Sequence, residues 1–366
     1  MTMHLKAAAV NFKLTGEFME AVSYGLGHIN STYLVRCRQV DGTVQKYILQ
    51  CINQQVFREP EKVITNIVRV TQHLREKIIT AGGDPLRETI TLLPTHNGRF
   101  FHQTQDGKYW RMMLFIEGAA ACQHAPSLDH TYAVGLAYGR FQQMLADFPV
   151  DQLHATIPDF HHTGKRLADF ETAVVQDIAG RVQTVQTEID FLFNRAAGVA
   201  ILTDLQAAGE LPLRITHNDT KCDNVLIDTQ TGKGLCVIDL DTVMPGIALF
   251  DFADAVRSGT NSAAEDEPDL TKIYFDLAIF ERLAHGFLDA TRHFLTSLEI
   301  DYLVFASRLI TYEQALRFLT DYLHGDIYYK IRHPQHNLDR CRTQIKLLSE
   351  MEAAADQMEA IITAYR

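Results

Sequence analysis

Near residue 117 the hydrophobic pattern of this chain changes period, and few folds accommodate such a change. Ahead of it, Ser31–Arg38 is a β-rich run, Asp41-Gly42 is a hairpin turn signal, and Val44–Cys51 alternates as a returning strand. Over Pro60–Thr80 the apolar residues Val63, Ile64, Ile67, Val68, Val70, Leu74 and Ile78 recur at helical spacing, and Gly82-Gly83 ends that helix. Strand-like runs then cover roughly 89–93, 99–103 and 109–115, with Asp106-Gly107 as the last turn. Beyond Asp129 the spacing instead predicts amphipathic helices at roughly 129–147, 165–180, 186–207, 270–295, 300–324 and 338–364. One stretch, between Pro212 and Pro245, interrupts them with short strands at about 213–215, 225–227 and 235–238. The expected fold class is therefore α+β with two lobes. Residues 1–117 form a small, mostly antiparallel β lobe with one helix, residues 118–366 form a larger, mainly helical lobe, and Ile116-Glu117-Gly118 is the hinge. A length of 366 residues suits two such units, at about 150 residues per domain.

The net charge of -11 argues against broad nucleic-acid binding, which needs a concentrated basic surface, and favours a small-molecule ligand. Cys37, Cys51, Cys122, Cys222, Cys236 and Cys341 form no CxxC pair or regular framework, as expected in a reducing compartment. Residues 1–13 lack a basic start followed by an apolar run, and no later stretch approaches the ~18 apolar residues of a membrane span. The expectation is a cytoplasmic protein with no membrane association and no obligate protein partner.

The chemistry concentrates in His217-Asn218-Asp219-Thr220-Lys221-Cys222-Asp223-Asn224, followed after a short strand by Ile238-Asp239-Leu240-Asp241. Histidine, any residue, aspartate, four residues, asparagine and then a strand-end aspartate is the form of a kinase catalytic loop with its metal-binding aspartate. Phosphoryl transfer demands those residue types. One carboxylate accepts the proton of the attacking hydroxyl, while an amide oxygen and a second carboxylate hold magnesium against the ATP phosphates. Asp219 takes the first role, and Asn224 and Asp239 take the others. Each alone could be a turn or cap residue; the ordered set is what turn chemistry does not explain. Asp241 either joins the metal or caps the loop running to Pro245-Gly246, and Lys221 either steadies the transferred phosphate or is simply solvated.

A second signal is Ser23-Tyr24-Gly25-Leu26-Gly27-His28-Ile29-Asn30-Ser31-Thr32. Its glycines let backbone amides approach phosphates without an intervening Cβ, although a glycine pair can equally be a tight turn. Gly25, Gly27, Asn30, Thr32, Gln50 and the hinge residue Glu117 are the expected nucleotide contacts. Gln50 stands where a kinase strand lysine is expected, so magnesium, Lys221 or a residue such as Lys46 has to supply the missing charge, unless Gln50 is only a polar edge-strand residue. His161-His162 reads as an exposed loop pair rather than a metal site, and Glu265-Asp266-Glu267 as a solvated loop.

These residues resemble the aminoglycoside phosphotransferase and choline kinase superfamily, which has a protein-kinase-like fold, and most closely its bacterial N-acetylhexosamine 1-kinases. The resemblance runs from the glycine loop and Tyr47-Ile48-Leu49-Gln50 through the catalytic loop, Leu249-Phe250-Asp251-Phe252 and Arg317-Phe318-Leu319 to Gly325-Asp326-Ile327-Tyr328. It implies ATP- and magnesium-dependent phosphorylation of the anomeric hydroxyl of N-acetylglucosamine or N-acetylgalactosamine. The sugar contacts it implies fall on His28, Asp219, Arg317 and Tyr328, and Asp251 braces the catalytic loop. Read without the resemblance, Arg317 could pair with Asp321 one turn on, and Tyr328 could be a core residue. Other acceptors, such as an aminoglycoside, choline or a different sugar, and an inactive nucleotide or sugar sensor are the competing readings.

Overall fold

The computed structural model describes residues 2–25, 29–121 and 127–366. Strands β1 (Glu17–Ser23), β2 (Ser31–Arg38) and β3 (Val44–Cys51) form a meander that continues into β5 (Tyr109–Leu114) and then β4 (His102–Gln103), in the antiparallel order β1-β2-β3-β5-β4. Alternation decides its two faces. Tyr47, Leu49, Trp110 and Met112 pack with Leu5, Ala8 and Ala9 of a first helix, α1 (Thr2–Ala9). The opposite face, with Ile48 and Met113, meets α2 (Pro60–Thr80), whose Ile64, Ile67 and Leu74 are buried.

The small lobe thus carries α1 in addition to the single helix expected. The strand expected at 89–93 is reduced to an isolated bridge between Leu92 and Met113, and the one at 99–103 to β4. The chain leaves this sheet at Leu114 and, after Gly118 at φ +67, enters β6 (Ala119–Ala121), which pairs with a different sheet.

The larger lobe begins with α3 (Leu128–Met144), α4 (Thr163–Gln176), α5 (Gln186–Phe193) and α6 (Ile201–Ala207). Where one helix was expected over 186–207 there are two, because Gly198 takes φ +89 between them. Then come β7 (Arg214–Thr216), β8 (Val225–Asp228), β9 (Gly234–Val237) and β10 (Met244–Gly246), with β6-β8-β9 forming one small sheet and β7-β10 another. Helix α7 (Leu249–Gly259) was not foreseen, although Asp251, Asp254 and Arg257 recur at helical spacing: residues 249–257 are all buried, and this polar stripe faces the catalytic loop instead of solvent.

The remaining helices are α8 (Leu277–Thr291), α9 (Ser297–Asp301), α10 (Leu303–Leu323), α11 (His336–Ala353) and α12 (Ala355–Tyr365). Asp276 caps α8 by accepting from the amides of Ala278 and Ile279, which starts that helix later than its apolar pattern suggests. Cys37, Cys222, Cys236 and Cys341 are buried and Cys51 is half-buried. Among the described residues no helix is long and apolar enough to cross a membrane.

Helices α3 and α8 approach closely because glycines face each other's backbone. A methyl group on Gly135 would overlap the Leu283 carbonyl, and one on Gly286 the Tyr132 carbonyl. Alanine normally favours a helix over glycine by about 1 kcal/mol, whereas overpacking of this kind costs about 1–3 kcal/mol. Gly286→Ala is therefore expected to lower stability by about 1 kcal/mol or more in denaturant unfolding, against helix propensity; an unchanged or raised midpoint would show that the pair has room to separate.

Candidate active site

The pairing of β7 with β10 sets the loop after β7 against the loop after β9. His217 is fully buried, edge-on to the rings of Tyr138 and Phe141 at 5.8 Å. Its Nε2 faces the Ile238 carbonyl at 2.9 Å and its Nδ1 faces the Asp219 amide at 3.3 Å, so the ring donates to the first and accepts from the second. Further bonds lace the two loops together. The Thr242 hydroxyl donates to the His217 carbonyl at 2.6 Å, the Asn218 side-chain amide donates to the Thr242 carbonyl at 2.9 Å, and the Ile238 amide donates to the Asn224 carbonyl at 2.9 Å.

Asp251, on the first turn of α7, accepts the Asn218 amide at 2.7 Å and the His217 amide at 2.9 Å, and takes Gln142 Nε2 at 2.8 Å. Burial pushes the Asp251 carboxyl above its usual range, against the pull of His217 and of these bonds. One turn further on, Asp254 accepts the Thr220 amide at 2.9 Å and pairs with Arg257. Asn218 and Asp239 both sit in the left-handed region, at φ +65 and +60, where non-glycine residues persist only when their surroundings hold them.

This framework gathers the expected catalytic set. Asp219 Oδ2 lies 3.3 Å from Lys221 Nζ and 3.2 Å from Asn224 Nδ2, and the same Asn224 nitrogen donates to the Asp219 carbonyl at 2.8 Å. Asp219, followed by Asp223, Asp239 and Asp254, holds the Lys221 ammonium well above the usual lysine range despite the desolvation that opposes it. The Asp239 side chain is accessible, yet desolvation by the protein around it, and then the charges of Asp241 and Asp219, push its carboxyl up to about 6.

Asp241, expected at the metal, is buried with both oxygens engaged: Arg111 donates to Oδ1 and Asn30 to Oδ2. Arg111 is the residue that sequence reasoning missed. It is 2 % exposed and lies directly opposite Gln50 in the sheet, with Nε and Nη2 donating to Gln50 Oε1 at 2.9 and 2.7 Å. Its only advance signal was one charge in the apolar run Tyr-Trp-Arg-Met-Met-Leu.

Among the expected nucleotide contacts, Gln50 Nε2 donates to Thr32 Oγ1 at 3.0 Å, and Asn30 Oδ1 accepts the Asn53 amide at 2.9 Å. Gly25 takes φ +75 and helps line a cleft of about 180 Å³ with Tyr24, Asn30, Thr32 and Lys330. Gly27 and His28 lie outside the described residues. Glu117 pairs with Lys46 at 3.1 Å, so the Lys46 ammonium is engaged there rather than at Gln50.

Arg317 and Tyr328 belong to a neighbouring cluster. Arg317 Nη1 donates to Gln314 Oε1 at 3.0 Å, and its guanidinium lies over the rings of Phe160 at 5.3 Å and Tyr329 at 5.9 Å. Asp321 instead accepts the amides of Ile327, Tyr328 and Tyr329, so the helical Arg317–Asp321 pair is not formed. Tyr328 is 54 % exposed and no core residue.

His161, expected to be exposed, is a connection between this cluster and the loop. Its ring faces Glu313 at 2.9 Å and the Asn218 carbonyl at 3.1 Å, with Phe160 beside it. His162 caps α4 by accepting the Lys165 amide. The acidic run at 265–267 is likewise tied down rather than freely solvated, through Glu265 to Arg257, Asp266 to His336 and Glu267 to Lys272.

A model of the phosphotransferase enzyme family matches residues 20–288, which includes the glycine loop, the catalytic loop and α7. The chain belongs to that family. Three solved structures share its fold. An aminoglycoside phosphotransferase from Alicyclobacillus acidocaldarius is 15% identical with a TM-score of 0.63, over 97% of this chain and 96% of that one. A microcompartment-associated aminopropanol kinase is 16% identical with a TM-score of 0.56, over 98% of each chain. Choline kinase from Cryptosporidium parvum is 14% identical with a TM-score of 0.52, over 94% and 92%. The chain is accordingly a member of the phosphotransferase enzyme family with the fold that these kinases share.

Proposed function

We propose that this kinase transfers the γ-phosphate of ATP to the anomeric hydroxyl of an N-acetylhexosamine, giving a sugar 1-phosphate and ADP. Asp219 accepts the hydroxyl proton as the new oxygen–phosphorus bond forms. The bond from the γ-phosphorus to the β,γ-bridging oxygen breaks, and ADP leaves with that electron pair. Lys221, held cationic beside Asp219, steadies the charge on the transferred group.

The observation that carries a bound cation is the placement of the exposed Asp239 beside Asn224, whose carbonyl accepts the amide of the preceding Ile238 at 2.9 Å. With the Asn224 side-chain oxygen it would make the small, hard oxygen set that magnesium accepts alongside phosphates, while Asp241 is oriented by Arg111 and Asn30. Magnesium, when bound, neutralises the β- and γ-phosphate oxygens. In this reading residues 1–117 are the nucleotide lobe, residues 118–366 carry the catalytic loop and acceptor pocket, and Ile116-Glu117-Gly118 is the hinge. The buried thiols suit a reducing cytoplasm.

The acceptor assignment draws on the cluster around Arg317. Its carboxylates are already engaged: Glu313 by His161 and Thr163, Asp321 by three amides and Asn337, and Asp326 by Arg181 and Asn337. A polycationic acceptor needs acidic groups able to meet it, and would face a guanidinium instead. A neutral sugar with hydroxyl and acetyl oxygens suits Arg317 and the exposed ring of Tyr328.

The test is ADP release with ATP, magnesium and, separately, N-acetylglucosamine, N-acetylgalactosamine, galactose, choline and kanamycin. Turnover with the acetylated hexosamines alone, abolished by chelating the metal, is the expected result. Arg317→Met should then raise KM for the sugar about tenfold or more without changing KM for ATP, which is the size of one lost charged hydrogen bond. Turnover with choline or kanamycin alone would leave the kinase standing and remove the sugar roles of Arg317 and Tyr328.

A further inference from the structure

Gln50 and Arg111 are direct cross-strand partners on β3 and β5, and alternation sends both side chains to the face that also carries Ile48 and Met113. That face looks toward the catalytic lobe, as the bond from Arg111 to Asp241 shows. The guanidinium is clamped in a plane by Gln50 Oε1, which accepts from two of its nitrogens, and the Gln50 amide is itself fixed by Thr32. Asp241 Oδ1 takes the third nitrogen, and Asp241 Oδ2 takes Asn30 at the end of the glycine loop. These bonds leave guanidinium N–H groups without a protein acceptor among the described residues.

We propose that Arg111 is the cation that meets the phosphates of the nucleotide, so that the charge expected from a lysine at position 50 has moved one strand over. This rests on the nucleotide reading of the site. Gln50 is then a positioning residue rather than a gap in the machinery: its carbonyl holds a guanidinium that a lysine in its place would repel. Asp241 neutralises Arg111 while no phosphate is present, and the planar fork of the guanidinium, unlike an ammonium, can keep Gln50 while turning an N–H to a phosphate oxygen. Asn30 makes the arrangement sensitive to the glycine loop, because it shares the Asp241 carboxylate with Arg111.

The experiment compares adenosine, ADP and ATP binding, with magnesium, by calorimetry on the full chain. The variants are Arg111→Met, Arg111→Lys, Gln50→Lys and the exchange Gln50→Lys with Arg111→Met. Arg111→Met is expected to weaken ATP and ADP at least tenfold while adenosine binds as before, and Arg111→Lys to fall between it and the parent. Gln50→Lys alone should also weaken ATP, because it sets two cations side by side, whereas the exchange variant should recover most of the ATP affinity. Equal ATP affinity in Arg111→Met and the parent overturns the inference. So does a matching loss of adenosine, or an exchange variant no better than Arg111→Met, since each marks Arg111 as purely structural. A parent protein that binds none of the three overturns the nucleotide reading itself, and this inference with it.

Discussion

Asp219→Asn is expected to lower kcat by about 10²- to 10⁴-fold, the usual contribution of a positioned general base. The substitution keeps the shape of the side chain, and the backbone bonds that place it do not involve the carboxylate. The Asp219 amide still meets His217 and its carbonyl still takes Asn224. Nucleotide affinity and the unfolding midpoint should therefore change little. One indirect effect is expected. Asp219 is among the charges that raise the proton affinity of Asp239, and the same negative charge attracts a metal ion, so its removal should lower the Asp239 pKa and modestly weaken magnesium binding. Tight nucleotide binding combined with lost turnover is the signature of a missing proton acceptor; a variant within about tenfold of the parent would move the base elsewhere.

What could be read from the sequence follows a physical division. Strands β2 and β3 were legible to the residue because an alternating pattern and the Asp41-Gly42 turn are local signals. The loop carrying Asp219, Asn224 and Asp239 stood out because the kinase motif fixes residue types at short, local spacings, and the roles proposed for them rest on that motif. Arg111 was not, since its partners lie 61 and 130 positions away and only the strand register brings them together. His161 failed for the same reason: adjacent histidines look exposed until Glu313, 152 positions on, packs against one of them. Helix α7 was overlooked despite the spacing of Asp251, Asp254 and Arg257, and with it the means by which Asp251 reaches the loop. The resemblance could name Asp251 as a brace, but what it braces is visible only in the pair of amides it accepts.

That pair of amides makes Asp251→Ala the largest stability loss expected from a single substitution near the site. It strands the buried His217 and Asn218 amides together with the Gln142 side-chain amide, and an unsatisfied buried donor costs about 1–3 kcal/mol. Relief from holding a desolvated carboxylate offsets part of this. A net loss of about 3 kcal/mol in denaturant unfolding is the expected outcome. Turnover should fall with it, because Asn218 keeps its left-handed conformation next to Asp219 partly through the bond to Asp251. Asp251→Asn separates geometry from bulk: its one carbonyl can serve either His217 or Asn218 while its NH2 confronts the other amide, so it should be nearly as damaging despite almost identical volume. If Asp251→Asn kept full stability and turnover, a single acceptor would suffice, and the loop would owe its shape to the His217–Ile238 and Asn218–Thr242 bonds instead.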